Sequence, residues 1–148
     1  MSKKILIING PNLNLLGDRE PEVYGNETLD DIKNLCEKKG KDLSLDIDFT
    51  QSNDEGEIVE SIQNAKKKFS GIIINAGALT HTSISILDAL LSTKLPIIEV
   101  HLSNIFTREA FRKESFVSKA AKGIICGFGS KSYDLALEAI STLLKGKN

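Results

Sequence analysis

Residue types suited to proton transfer are scarce in this chain, and their positions are uneven. Its 148 residues include two histidines, His81 and His101, two tyrosines, Tyr24 and Tyr133, and no Trp. Of 19 Lys plus Arg, three are arginines: Arg19, Arg108 and Arg112. Glu99-Val-His101 lies on an apolar, strand-like run. Alternate strand residues share a face, so Glu99 can orient the His101 ring and raise its basicity. A surface Glu beside a satisfied core His is the alternative. Tyr24 follows Arg19 in the same segment. A free phenol, with a pKa of about 10, is an inefficient base at neutral pH. A nearby guanidinium favours the phenolate. A tyrosinate base paired with a histidine acid suits removal of a proton beside a carbonyl with loss of a hydroxyl. Asn12 and Asn75 can donate hydrogen bonds to a developing enolate or to substrate hydroxyls. A packing tyrosine and salt-bridged surface arginines are the competing reading.

Other chemistries fit less well. The segment from Gly10 to Gly25 lacks the Gly-x-x-x-x-Gly-Lys-Ser/Thr and Gly-x-Gly-x-x-Gly phosphate loops. Asn75 stands where a receiver domain needs a phosphorylatable Asp, which weakens the alternative of a non-catalytic flavodoxin-like binding module. Asp18 and Glu20 as paired carboxylates would suggest a hydrolase, but they flank Arg19 in a charged loop and read as solvated. His81 and His101 have no ligand-spaced partners. Cys36 and Cys126 form no Cys-x-x-Cys pair and read as reduced thiols of a cytosolic protein. The net charge of -1 gives no field for nucleic acid or an anionic membrane. No apolar run approaches the ~18 residues of a membrane span. The first residues read as a strand, not a signal peptide.

These side chains must be held by regular elements, and the chain alternates between two periods. Ile5–Ile8 and Ile72–Ile74 read as buried strands, and Ile97–Leu102 and Gly123–Cys126 as further strands. Leu45, Ile47 and Phe49 alternate with polar residues, as in a strand nearer a sheet edge. Helices are expected over Thr28 to Lys39 with Gly40 marking the end, Asp54 to Lys68, Thr82 or Ser83 to Leu91, and Ser130 to Lys145. A loop or short helix spans Asn104 to Ser115 and completes five main helices alternating with five strands. Such alternation implies an α/β fold with one parallel sheet and helices on both faces. The expected strand order is 2-1-3-4-5, a flavodoxin-like doubly wound arrangement, in one catalytic domain over residues 1–148. Ligands bind such sheets beyond the carboxyl ends of the strands. The site segments are then Asn9 to Gly25, Asn75 to Thr82 and His101 to Arg112. They hold both histidines, all three arginines and Tyr24. At about 16 residues, the first is long for a strand-to-helix loop.

Four motifs, in order, resemble one family. Asn9-Gly-Pro-Asn-Leu-Asn-Leu-Leu-Gly-Asp-Arg-Glu-Pro-Glu-Val-Tyr-Gly25, Asn75-Ala-Gly-Ala-Leu-Thr-His-Thr-Ser83, Glu99-Val-His-Leu-Ser-Asn104 and Lys122-Gly-Ile-Ile-Cys-Gly-Phe-Gly129 are similar to the signatures of the type II 3-dehydroquinate dehydratases. The resemblance covers essentially the whole chain. It implies a cofactor-free hydro-lyase that converts 3-dehydroquinate to 3-dehydroshikimate by anti elimination through an enolate. That reaction serves the shikimate pathway of aromatic amino acid biosynthesis, or quinate breakdown. Residue by residue, it implies Tyr24 as the base at C2, Arg19 as its support, and Asn12 as enolate stabiliser through a water. His101 would protonate the departing C1 hydroxyl, with Glu99 orienting it. Asn75, His81 and Arg112 would hold substrate hydroxyls, and Leu102 and Ser103 the carboxylate. Arg108 would sit near Tyr24, and Asp88 would reach a neighbouring subunit's site. The implied assembly is a cytoplasmic homododecamer, a tetramer of trimers. Leu79, Leu87 and Phe106 depart from the common family pattern. Leu87 removes a charge beside Asp88, and Phe106 bears on packing over the site.

Overall fold

The computed structural model describes residues 2–18, 22 and 26–146. Five strands form one parallel sheet: β1 (Lys3–Asn9), β2 (Leu45–Gln51), β3 (Gly71–Asn75), β4 (Ile97–His101) and β5 (Gly123–Cys126). Their spatial order is β2-β1-β3-β4-β5, as expected. The helices α1 (Leu29–Asp42), α2 (Glu55–Lys68), α3 (Ile84–Thr93) and α4 (Lys131–Lys145) cross between or follow them.

The two-residue period of the strands separates two cores. On one face Ile5, Ile7 and Ile73 pack with Ile32 and Cys36 of α1 and with Tyr133, Leu137 and Ile140 of α4. On the other, Leu6, Ile8, Ile72 and Ile74 pack with Ile58 and Ile62 of α2 and Ile86 and Leu90 of α3. The middle of the central strands, Ile5–Ile8 and Ile72–Ile74, is apolar at consecutive positions because each side faces a helix layer. β2 alternates because it lies at the edge.

Local chemistry starts the first three helices. Thr28 and Asp31 form a reciprocal capping box at α1: each side chain accepts from the other's backbone N–H, at 3.2 and 3.0 Å. Asp54 accepts from the Glu57 N–H at 3.1 Å. Ser83, not Thr82, caps α3 by accepting from the Ile86 N–H at 2.9 Å.

Two expectations need correction. Gly40 does not end α1, which runs on to Asp42. It is buried inside the helix, where a Cβ would lie 2.6 Å from Ile47 Cγ1 and 2.9 Å from the Leu45 carbonyl oxygen. The glycine allows α1 to lie close on β2. The fifth main helix is also absent among the described residues. The β4-to-β5 crossover is built from three short 3-10 turns, Ile105–Thr107, Ala110–Arg112 and Val117–Lys119. Asn104 diverts the first turn by accepting from the Phe106 N–H at 3.1 Å, and Ser115 turns inward to β4. No helix among the described residues is long and apolar enough to cross a membrane.

Candidate active site

The loops after β1 and β3 meet at the carboxyl edge of the sheet. The Gly10 N–H donates to the Asn75 carbonyl at 2.8 Å. A Cβ on Gly10 would lie 2.4 Å from the Ala76 carbonyl oxygen, so only glycine allows this approach. Two residues on, Asn12 has a left-handed backbone, with φ of 72°. Its N–H donates to Asn53 Oδ1 at 3.0 Å. Gln51 Nε2 braces the same corner, donating to the Gly10 carbonyl and to Asn53 Oδ1, each at 3.1 Å. An Asn is among the few non-glycine residues that adopt this conformation readily.

β4 supplies the titratable pair. His101 Nε2 lies 2.5 Å from Glu99 Oε2. Their positions two apart on one strand put both side chains on one face. Glu99 is fully buried, and His101 is 5% exposed. Ser115 Oγ donates to Glu99 Oε2 at 2.7 Å, and Thr80 Oγ1 lies 3.2 Å from the same oxygen. Ser118 Oγ donates to Glu99 Oε1. Burial pushes the Glu99 pKa up, but the hydrogen bonds from His101, Ser118 and Ser115 outweigh it and hold the carboxyl below its ordinary value. Glu99 is therefore a fixed anion that orients the ring and leaves His101 Nδ1 for other partners.

An open cleft lies above these strand ends. Asn12, Asn75, His81 and His101 line it, together with Leu102, Ser103, Arg108 and Arg112. Glu99 stands behind His101. His81 is oriented by its Nδ1, 2.7 Å from the Glu114 carbonyl, which leaves Nε2 available. Arg112 Nε pairs with Glu109 Oε1 at 2.9 Å, and Arg108 Nη1 lies 3.5 Å from Ser103 Oγ. The Gly129 N–H donates to the Leu102 carbonyl at 2.9 Å, which ties the loop after β4 to the loop after β5. The cleft thus combines two imidazoles, two guanidiniums and two amides, a set suited to a polyhydroxylated anion and proton transfer.

One expected site residue among those described is not brought into this set. Asp88 is exposed on α3 and does not line the cleft. Arg19 and Tyr24 lie outside the described residues.

Other residues that shape the site carried no signal in the sequence. Thr80, Ser115 and Ser118 reach Glu99 from 16 to 19 positions away. Gln51 and Asn53 hold the Asn12 corner from about 40 positions away. Tyr133, which reads as structural from its place in the last helix, bonds to both Asn9 and Asn75. Ser, Thr and Asn are too common for spacing alone to single them out.

Known proteins of one family are similar to this chain over nearly its whole length. The family described as Dehydroquinase class II matches residues 3–141. A 3-dehydroquinate dehydratase of Prochlorococcus marinus (strain MIT 9215) is 61% identical over 97% of this chain and 98% of its own. One from Phenylobacterium zucineum is 52% identical over 98% of this chain and all of its own. The solved structure of a type II dehydroquinase from Propionibacterium acnes has a TM-score of 0.92 and 44% identity, covering 96% of this chain and 98% of that one. In sequence and in overall fold, the chain belongs to the class II dehydroquinase family.

Proposed function

We propose that this cleft dehydrates 3-dehydroquinate to 3-dehydroshikimate, in the shikimate route to aromatic amino acids or in quinate breakdown. The observation that carries the reading is the Glu99–His101 pair at the floor of a cleft that Asn12, Asn75 and Arg112 also line. The reaction is a hydro-lyase step, an anti elimination through an enolate that uses no cofactor.

In this reading Tyr24, supported by Arg19 and Arg108, takes the proton from C2. The electron pair moves onto the C3 carbonyl oxygen, and Asn12 stabilises that enolate through a water. The enolate then collapses and the C1 hydroxyl leaves, protonated by His101, so that water departs and a conjugated enone forms. Glu99 orients His101 and takes no proton. Asn75, His81 and Arg112 hold the substrate hydroxyls. Leu102 and Ser103 receive the carboxylate through backbone N–H groups and the Ser103 hydroxyl. The two guanidiniums that line the cleft, Arg108 and Arg112, support the binding of an anion.

The test is direct. Purified protein mixed with 3-dehydroquinate, without added cofactor, should develop the ultraviolet absorbance of the conjugated enone. Folded protein that forms no product would overturn the reading.

The companion reading is a cytoplasmic homododecamer, a tetramer of trimers, in which Asp88 reaches a neighbouring subunit's site. Exposure of Asp88 on α3, outside the cleft lining, supports the cross-subunit role. Both cysteines are free thiols, the state a reducing compartment favours. A solution mass corresponding to a stable monomer would remove Asp88 from that role.

A further inference from the structure

We propose that Tyr133 is a positioning residue: it fixes the Asn75 amide so that Asn75 offers the ligand an N–H and never a carbonyl oxygen. This deepens the dehydratase reading and rests on it for the identity of the ligand. The argument is one of hydrogen-bond polarity. Asn9 Nδ2 lies 2.9 Å from the Thr50 carbonyl, which can only accept. The Asn9 amide is thereby oriented, and its Oδ1 faces Tyr133 Oη at 2.6 Å. Tyr133 must spend its single hydrogen on that oxygen. Its own oxygen can then only accept, and it does so from Asn75 Nδ2 at 2.9 Å. At the far end the Gly77 N–H donates to Asn75 Oδ1 at 3.2 Å. A backbone carbonyl at one end and a backbone N–H at the other therefore set the same direction along the whole relay.

The relay is dry and permanent. Tyr133 and Asn9 are fully buried, and Asn75 is 3% exposed. Burial pushes the phenol well above its ordinary pKa, so the donating hydrogen is always present. One hydrogen of Asn75 Nδ2 goes to Tyr133. The second is left for the cleft, which Asn75 lines. The group opposite Asn75 must then be an acceptor: a hydroxyl, ketone or carboxylate oxygen. A flipped amide would instead turn its oxygen toward Tyr133 and the cleft, and would forfeit its hydrogen bonds to Tyr133 and Gly77 together.

Tyr133→Phe keeps the ring and removes the acceptor. For 3-dehydroquinate, KM should rise about fivefold or more, with a smaller change in kcat. In an Asn75→Ala background the same substitution should change KM by less than about twofold, because its effect passes through Asn75. An unchanged KM in the first background, or an equal rise in both, would overturn the proposal. If Tyr133→Phe does not fold, Asn9→Ala is read the same way, since it frees the Tyr133 hydroxyl to donate to Asn75 Oδ1. A second measurement needs no turnover. In nitrogen-15 spectra of the wild-type chain, one proton of the Asn75 side-chain pair, assigned by its loss in Asn75→Ala, should exchange slowly. Rapid exchange of both would overturn the proposal. Wild-type protein that passes this test but does not convert 3-dehydroquinate would instead overturn the dehydratase reading.

Discussion

Glu99 Oε2 lies 2.5 Å from His101 Nε2, so the carboxylate claims one ring nitrogen and leaves Nδ1 as the one that can exchange a proton with a ligand. The hydroxyls of Ser115 and Ser118 hold the carboxylate in turn. The acid is thus oriented by a group that is itself immobilised, which favours a fixed proton-transfer geometry.

Removing either end of the proton path should lower turnover more than binding. Tyr24→Phe and His101→Ala should each reduce kcat by about 10²–10⁴-fold, the usual contribution of a general base or acid. Ligand affinity should change much less. Steady-state kinetics with a binding titration checks this, and near wild-type kcat in Tyr24→Phe would remove it as the base.

Stability should depend on pH through Glu99. Its folded pKa is depressed because donors to the carboxylate outweigh burial. The unfolded chain, with an ordinary value of about 4.3, therefore binds more protons at intermediate pH. The Glu99 contribution is fully present above the unfolded value and is lost as pH falls through the folded one. Ser118→Ala removes the donor to Oε1 and raises the folded value. Denaturant unfolding at pH 7 should show a loss of about 1–2 kcal/mol. The gap between variant and wild type should narrow at pH below that folded value. A gap independent of pH would count against Glu99 as the linked group.

Asn53 should matter to catalysis without lining the cleft. It accepts the Asn12 N–H at 3.0 Å and holds a left-handed backbone in place. Asn53→Ala should lower kcat/KM about 3- to 10-fold, as expected for the loss of one hydrogen bond that positions a reactive group. The Asn12 amide should also exchange with deuterium faster than in wild type. Wild-type exchange at Asn12 would show that Gln51 and the loop suffice.

Gly40→Ala should destabilise the fold although Ala is the better helix former. The gain in helix propensity is about 1 kcal/mol. The added Cβ would meet Ile47 Cγ1 at 2.6 Å and the Leu45 carbonyl oxygen at 2.9 Å, and the latter is backbone that cannot rotate away. Overpacking of this kind costs about 1–3 kcal/mol. The net should be a lower denaturation midpoint, and a raised midpoint would show that α1 shifts freely on β2.

The alternating elements are legible in the sequence, because apolar period and caps are local. Ile72–Ile74 reads as buried on both faces, and Thr28 reads as a cap, from neighbours within four positions. Also legible is that His81, His101, Arg108 and Arg112 fall at or just after the carboxyl ends of strands, since a parallel sheet directs those loops to one edge. Gly40 misled because a helix-ending glycine and a close-packing glycine look alike until the neighbouring strand is placed. Ser115 carries no local pattern that distinguishes it from a solvated serine. Folding in three dimensions is what turns it toward Glu99, lets Asn53 hold Asn12, and lets Tyr133 join Asn9 to Asn75 across 124 and 58 positions. The physical reason is burial: a polar group removed from water must find a partner, and the partner is whatever the fold brings within about 3 Å, however distant in the chain.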